Sequence, residues 1–222
     1  MPVPRYKPVK DQRYFNRLRK YSEIDWNNEN QVFLEYKAKL EDWYINPARA
    51  LTKVPHAAFS VLALTCMLID TLSQFEVGAA GSQRSIFKGW VRNHFKNCAR
   101  PFKTPILAGA GSATVEAVDY ADALYSAFRC GLLHESHCAI YSGIVGQKRT
   151  FRYYARGLTK YGDESPCPTV VIDPARLLKR VLKVLEDYLQ KLQDHNPAHQ
   201  WLRDNFKKKF LTSYGIDIGN EH

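Results

Sequence analysis

The sequence contains little cysteine, and what it has is scattered. Five cysteines in 222 residues are an odd number, and none forms a pair separated by two residues. A disulfide framework and a zinc ribbon are therefore excluded as organising features. Free thiols in a reducing compartment explain the pattern best, so we expect a cytoplasmic protein. The five are Cys66, Cys98, Cys130, Cys138 and Cys167.

Long apolar runs are also missing. Residues 1–15 contain no apolar core of the kind found in a signal peptide. The most apolar stretch, residues 57–69, is shorter than the roughly 20 residues that a membrane-spanning helix needs. We therefore predict no association with a membrane. The sequence shows neither internal repeats nor low-complexity runs.

Acidic residues are in the minority. The chain has 22 Asp and Glu against 32 Lys and Arg, a formal net charge of +10. This excess favours polyanionic partners, RNA or DNA first, although it also fits a basic protein that is merely soluble. Hydrophobic residues make up 45% of the chain, and aromatic residues make up 13%. The sequence can therefore build a buried core and is not that of a disordered protein.

Hydrophobic periodicity predicts a mainly α fold, an antiparallel helical bundle with a small β-hairpin insert. Asn46-Pro47 is expected to end the first helix and Gly78 the second, while residues 100–114 are expected to form a loop. Asp173-Pro174 predicts a helix start, since an acidic N-cap precedes proline at the first helical position. Helices are expected over about 28–45, 55–77, 83–97, 113–133 and 174–193, and after Asn196-Pro197.

Three segments are predicted along the chain. Residues 1–25 form a basic N-terminal arm, which either follows a phosphate backbone or is an unstructured terminus. Residues 26–195 form the bundle, with a β-insert at 137–172 where β-branched and aromatic residues alternate. Residues 196–222 form a C-terminal helix packing on the bundle. Its inward side chains are expected to be Trp201, Leu202, Phe206 and Phe210, and its outward ones Lys207, Lys208 and Lys209.

The stretch FRCGLLHES, residues 128–136, carries the most specific chemistry. Arg129 and His134 lie five positions apart at the end of the predicted fourth helix. When four to six residues are allowed between the arginine and the histidine, such a pair is expected about once by chance in this chain. A second match, Arg49 with His56, lies in a loop that nothing holds in place.

The local context of Arg129 and His134 allows both to face one cleft. On a regular helix five positions rotate by about 140°, so the two side chains would diverge. Gly131, between them, lets the helix loosen or turn. Tyr125 and Ser126 lie one turn before Arg129 and can line the same cleft.

Arginine and histidine suit RNA cleavage without a metal. That reaction needs the 2′-hydroxyl deprotonated, an anionic phosphorane stabilised and the 5′-oxygen protonated. Histidine transfers protons near neutral pH, and arginine forks two hydrogen bonds onto phosphate oxygens. One such pair is a small set, so a dimer that combines two is expected. Alternatively, Arg129 caps the helix and pairs with Glu135, while His134 bonds a nearby carbonyl.

Asp70 lies within the most apolar predicted helix, where an unpaired acid is rare. It either orients Arg129 and lines the cleft, with Gln74 one turn later beside it, or it pairs with another arginine or faces an exposed stripe. No metal is predicted, because His134, His137 and Cys138 have no second cluster to complete four ligands. No cofactor is predicted either, because the glycine-rich residues 109–114 lack the lysine of a P-loop.

The apolar helix AAFSVLALTCMLIDTLSQF, the motif FRCGLLHES, a variable insert and a leucine-rich helix together resemble the HEPN superfamily (higher eukaryotes and prokaryotes nucleotide-binding domains) over roughly residues 30–193. The resemblance implies an all-α, usually homodimeric bundle. Many members are metal-independent endoribonucleases of toxin–antitoxin, phage-defence and RNA-processing systems. It implies that Arg129 and His134 are the catalytic pair, in a cleft between two subunits. That cleft would be lined by Tyr125, Ser126, Cys130, Glu135, Asp70 and Gln74.

One position departs from the family. Members often have a polar residue directly after the arginine, where this chain has Cys130. Some members have lost catalysis and only bind nucleotides or proteins. A catalytically inactive HEPN module therefore stays the alternative prediction.

A basic and aromatic stretch, residues 146–157, adds a predicted RNA-binding surface. Such a mixture suits phosphate contacts and base stacking, although a solvated hairpin has the same composition. The predicted RNA-binding residues are Lys148, Arg149, Arg152, Tyr153 and Arg156.

The sequence thus predicts a metal-independent endoribonuclease of a stress or phage-defence type. Its expected partners are RNA, a second copy of the chain, and an inhibitory antitoxin or a larger defence complex. A third reading is a basic DNA-binding helical protein, although the sequence shows no helix-turn-helix.

Overall fold

A computed structural model describes residues 12–104, 106–110, 113–130, 142–144, 150–154, 157–158, 164–165 and 169–219. Within these residues the protein is a mainly α bundle with small β-sheets, which confirms the predicted fold class. The helices are α1 Glu29–Leu40, α2 Asn46–Leu51, α3 Ala58–Val77, α4 Arg84–His94, α5 Tyr120–Ala123, α6 Pro174–Gln193 and α7 Gln200–Tyr214. The strands are β1 Ile106–Ala110, β2 Ala113–Ala117, β3 Ser142–Ile144, β4 Phe151–Tyr154, β5 Gly157–Leu158, β6 Glu164–Ser165 and β7 Thr169–Ile172.

Helix α3 is the central element of the bundle and packs against α4, α6 and α7. Leu62, Leu68 and Ile69 are fully buried because this helix is apolar on nearly every side. It ends at Gly78, as predicted, where a φ of 66° turns the chain into the left-handed conformation. The 20 residues of α3 also have the length and composition of a membrane-spanning helix. Half of its apolar stretch is buried in the protein, however, and the core helices of soluble proteins share these properties.

Helix α6 begins where the sequence predicts. The Asp173 carboxylate accepts a hydrogen bond from the backbone N–H of Arg176, and Pro174 occupies the start of the helix. Leu177, Val181 and the later leucines of one face are buried against α3. The apolar stripe and the two-residue start signal were sufficient to place this element.

The first helix does not end at Asn46-Pro47, so that prediction was wrong. After α1 the chain forms a π-helical turn, Glu41–Ile45, and continues directly into α2. The N–H of Asn46 bonds the carbonyl of Glu41, five residues earlier. Pro47 lies at the second position of α2, directly after the π-helical turn.

The fourth predicted helix begins later than expected. Residues 106–110 and 113–117 form an antiparallel hairpin, with Ile106 paired to Ala117, so neither the predicted loop nor the helix start at 113 is right. Helix α5 starts only at Tyr120, after the N-cap Asp119, and continues as a π-helical segment, Leu124–Cys130. Val118, between β2 and α5, is 44% exposed.

The described strands between residues 142 and 172 form two further sheets. Strand β7 is the middle strand of one, parallel to β3 and antiparallel to β4. All four of its residues are buried, as expected for a central strand. Strands β5 and β6 pair antiparallel with each other.

The two ends of the described chain meet at one aromatic cluster. Phe15 contacts Trp26 edge to face at 5.5 Å, and both contact Phe210 of α7. The N–H of Gly219 donates to the Trp26 carbonyl. Residues 12–26 therefore pack against the bundle.

Helix α7 is rotated relative to the prediction. Leu202, Phe206 and Phe210 are buried as expected. However, Trp201 is 51% exposed and Lys209 only 6% exposed, so the sequence interpretation was wrong for both. The side-chain oxygen of Gln74 on α3 accepts a hydrogen bond from the Lys209 amine, which compensates for the burial of this charge.

Candidate functional site

Asp70 on α3 and Arg129 near the end of the π-helical segment form an ion pair. The Nη2 of Arg129 lies 2.9 Å from the Oδ2 of Asp70, and their side chains are 14% and 13% exposed. A carboxylate within the apolar face of a helix is costly without a partner, and the guanidinium supplies one. Of the partners considered for Asp70, the structure gives it Arg129.

Ser82, in the loop before α4, forms hydrogen bonds with both members of the pair. Its hydroxyl donates to Asp70 Oδ1 at 2.6 Å and accepts from Arg129 Nη2 at 3.4 Å. The carboxylate of Asp70 is therefore engaged through both oxygens. Sequence reasoning missed Ser82, because a serine in a glycine-rich loop carries no signal of a contact 47 residues away.

Tyr125 lies on the same side of the helix as Arg129. The guanidinium carbon of Arg129 is 5.4 Å from the centre of the Tyr125 ring, and that of Arg84 is 5.9 Å from it. Burial raises the pKa of the Tyr125 phenol, and Cys130 raises it further. The phenol therefore stays protonated at neutral pH and can act as a hydrogen-bond donor.

The charge on Arg129 is fixed by its surroundings. Burial opposes the charge, but the hydrogen bond and the negative charge of Asp70 raise the pKa of the guanidinium. A cation that is permanently charged, partly desolvated and held in one orientation is well suited to binding a phosphate oxygen.

Gln74 and Lys209 extend the cluster towards the C-terminal helix. The side-chain amide of Gln74 donates to the Asp70 carbonyl at 3.0 Å, and its oxygen accepts from Lys209 Nζ at 2.8 Å. Burial lowers the pKa of Lys209, while the nearby charge of Asp70 opposes that effect. Lys209 therefore adds a second cation near the Asp70–Arg129 pair. The sequence predicted that this lysine faces solvent.

The site residues Tyr125 and Arg129 lie on the π-helical segment Leu124–Cys130. Segments of this kind are rare and occur frequently at functional sites, where the wider turn displaces side chains from the regular helical order. Arg129 and Tyr125 lie on the segment, and Ser126, beside Tyr125 in the chain, is buried. Cys130, the last residue of the segment, is partly exposed.

Several predicted site residues cannot be placed. His134 and Glu135 lie outside the described residues, as do Lys148, Arg149 and Arg156. Arg152 is exposed on β4, next to Tyr153, whose ring stacks on that of Phe102. In the part of the chain that the structure describes, no group of three His, Cys, Asp or Glu side chains could hold a metal.

A second charged cluster joins α4 to the start of α5. Arg92 contacts Asp119 at 2.8 Å and Asp122 at 3.2 Å, and Lys88 also pairs with Asp122. Both carboxylates are buried, and the hydrogen bond to Asp119 raises the pKa of Arg92. Because two cations face two acids and Asp119 also caps α5, this cluster has a structural role.

The fold is a mainly α helical bundle with a charged cluster between α3 and the π-helical segment Leu124–Cys130. Comparison with models of protein families, with curated proteins and with solved structures gives no match to this chain.

Proposed function

We propose that the protein is a metal-independent endoribonuclease, in which Arg129 binds the scissile phosphate and His134 transfers protons. The observation that carries this proposal is the Asp70–Arg129 pair, which holds a charged guanidinium at the end of the segment leading towards His134. The resemblance to HEPN proteins and the net charge of +10 agree with an RNA substrate.

The reaction assigned to this site is an internal transesterification. The 2′-oxygen of the RNA attacks the adjacent phosphorus, the bond from phosphorus to the 5′-oxygen breaks, and a cyclic phosphate and a 5′-hydroxyl result. The imidazole of His134 removes the proton from the 2′-hydroxyl or delivers one to the 5′-oxygen. Arg129 stabilises the extra negative charge on the phosphorane oxygens.

Asp70 acts in this scheme as a positioning residue. Its carboxylate fixes the guanidinium of Arg129, which is otherwise at the end of a flexible side chain. Ser82 restrains the carboxylate in turn. Neither group needs to touch the substrate.

Two further parts of the proposal concern partners. A homodimer would combine two Arg129–His134 sets in one cleft, which the chemistry favours because one set alone is small. An inhibitory antitoxin or a larger defence complex would restrain the nuclease until it is needed. We expect light scattering to give twice the 25.5 kDa mass of the chain.

The second candidate function is a catalytically inactive HEPN module that binds nucleotides or proteins. Two observations favour it: Asp70 already engages the guanidinium of Arg129, and Cys130 stands where family members often have a polar residue. Such a module would keep the ion pair for stability alone.

Cleavage of labelled RNA in EDTA distinguishes the two functions. The wild-type protein is expected to cut, whereas the His134→Ala and Arg129→Ala variants are expected to lose activity by about a hundredfold or more. Arg49→Ala and His56→Asn are matched controls, because these residues form the chance repetition of the motif. Equal cleavage by all the proteins, or none by any, would reject the catalytic function in favour of the binding module.

A further inference from the structure

An open groove of about 840 Å³ lies away from the Asp70–Arg129 pair, between the segment after α4, strand β4 and the start of α6. Four cations line it: Arg100 and Lys103 from the segment, and Arg176 and Arg180 from α6. Among the described residues that line it, none carries a carboxylate. The groove therefore concentrates positive charge in a concave surface, where field strength is greatest.

Arg176 and Arg180 occupy an unusual place for cations. They lie four residues apart on the first turns of α6, so they share a face of the helix. The helix dipole disfavours positive charge in the first turn, where Arg176 lies, and that turn of α6 contains no acid. Arg180 packs over the Phe95 ring at 4.5 Å, and Arg176 lies 3.7 Å from Asp173 with its side chain 52% exposed.

Aromatic rings form the other part of the groove. Phe102 and Tyr153 stack with ring centres 4.7 Å apart and planes 6° from parallel. The Tyr153 hydroxyl donates to the Thr104 carbonyl at 3.0 Å, which fixes the ring in place. Tyr120 packs edge-on against Phe102 at 4.9 Å.

We propose that this groove binds single-stranded RNA, with phosphates on the four cations and unpaired bases on the Phe102–Tyr153 stack. Cations and aromatic rings in one groove are the two elements by which proteins bind single strands without reading their sequence. A duplex fits less well, because its bases are already stacked and cannot reach the rings. The inference rests on the proposed function only for the identity of the nucleic acid as RNA.

The groove and the cleavage site lie towards opposite ends of one helical element. Tyr120, at the start of α5, lines the groove, and Arg129 lies nine residues later, near the end of the π-helical segment that continues α5. Binding in the groove and cleavage near Arg129 are therefore separable by mutation.

The test measures binding of a short labelled single-stranded RNA by fluorescence anisotropy. All proteins carry His134→Ala and are assayed in EDTA, so that the probe stays intact. The groove variants are Arg100→Glu with Lys103→Glu, and Tyr153→Leu. The control, Lys53→Glu with Lys208→Glu, makes the same change in net charge at exposed positions that do not line the groove.

The charge-reversed groove is expected to bind at least about tenfold more weakly, and the slope of log affinity against log salt to fall by roughly 1.4, since each lost phosphate contact removes about 0.7. The control should lose much less. Tyr153→Leu is expected to weaken binding about tenfold, whereas Tyr153→Phe keeps the ring, loses only the hydrogen bond to Thr104, and should retain most of the affinity. If Tyr153→Leu does not fold, the affinity and the salt dependence of the Arg100→Glu, Lys103→Glu variant are sufficient to test the inference.

Equal weakening by the groove and control pairs would overturn the inference, as would an RNA duplex that competes as well as the single strand. The outcomes for the two proposals are distinct. If the wild-type protein cuts RNA but groove substitutions change nothing, the nuclease stands and the groove falls. If groove substitutions weaken binding but no protein cuts, the groove stands and the catalytic function falls.

Discussion

Asp70 and Arg129 are 59 residues apart in the chain, and their side chains meet at 2.9 Å in a largely buried ion pair. The pair ties the central helix α3 to the end of the segment that leads into residues 131–136. This contact therefore fixes the position of the backbone from which residues 131–136 continue.

A double-mutant cycle should measure the strength of this pair. With Asp70→Asn and Arg129→Gln, we expect a coupling free energy of about 2 kcal/mol, because a hydrogen-bonded pair shielded from water is worth more than an exposed one. Urea unfolding of the four proteins gives the value.

The exposed pair Lys37–Glu41 is the matched comparison. Its atoms are 3.9 Å apart and its side chains 51% and 41% exposed. Its coupling is expected to be only about 0.3–0.5 kcal/mol. Similar coupling energies for the two pairs would contradict a special role for Asp70.

Two substitutions at Asp119 should separate the stability that it contributes as a helix cap from the stability that it contributes as a buried charge. Asp119→Asn keeps an oxygen for the N–H of Asp122 but leaves Arg92 without this carboxylate, so we expect a loss of about 2 kcal/mol in the free energy of unfolding. Asp119→Ala removes the cap as well and should cost about 1 kcal/mol more. Equal losses, measured by urea unfolding, would mean that the cap contributes nothing.

Lys39 should make stability depend on pH. Burial lowers the pKa of its amine from 10.5 to about 8, and the amine lies over the rings of Phe15, Tyr21, Trp43 and Tyr214. Between these two pKa values the unfolded chain binds more protons than the folded one, so stability rises with pH. Below about pH 8 the Lys39 amine is protonated in both the folded and the unfolded chain, so the free-energy cost of burying its charge does not change with pH.

The effect is isolated by comparing the wild type with Lys39→Met across pH 7.5 to 10. We expect the wild type to gain on the order of 2 kcal/mol relative to the variant over this range. Taking the difference cancels groups common to both proteins, such as Cys98, whose pKa burial raises to about 12. A difference that does not change with pH would show that the Lys39 amine is not desolvated.

Two glycines should respond in opposite directions to alanine. Gly78 has a φ of 66°, and an added Cβ would lie 3.1–3.2 Å from atoms of Asn205, so Gly78→Ala should destabilise the protein by about 1–2 kcal/mol. Gly89, within α4, has nothing within 4 Å of such a Cβ, so Gly89→Ala should stabilise by about 0.5–1 kcal/mol. Thermal melting of both variants checks the signs, and equal signs would contradict the packing at Gly78.

The sequence was informative where local signals agreed with one another. Helix α3 is apolar on every side and ends in a glycine, and α6 combines a cap, a proline and a leucine stripe, so both were placed correctly. The π-helical turn at Glu41–Ile45 has no such signal, because periodicity assumes regular helix geometry. Residues 113–117 fit either a helix or a strand, and only their pairing with 106–110 decides between them.

The candidate site was predictable to a similar extent. An acid in an apolar helix must find a partner, and Arg129 was one of those proposed for Asp70. The roles of Ser82 and Lys209 depend on contacts across 47 and 135 residues, which no local pattern encodes. Lys209 was assigned to solvent because it belongs to a run of three lysines, although the rotation of α7 buries it.

The aromatic cluster of Phe15, Trp26 and Phe210 sets the order in which this chain matures on the ribosome. Phe210 is synthesised about ten seconds or more after Trp26 at ordinary rates of elongation. Throughout that interval the rings of Phe15 and Trp26 lack their contact with Phe210. Residues 12–26 therefore cannot complete their packing until α7 has been synthesised.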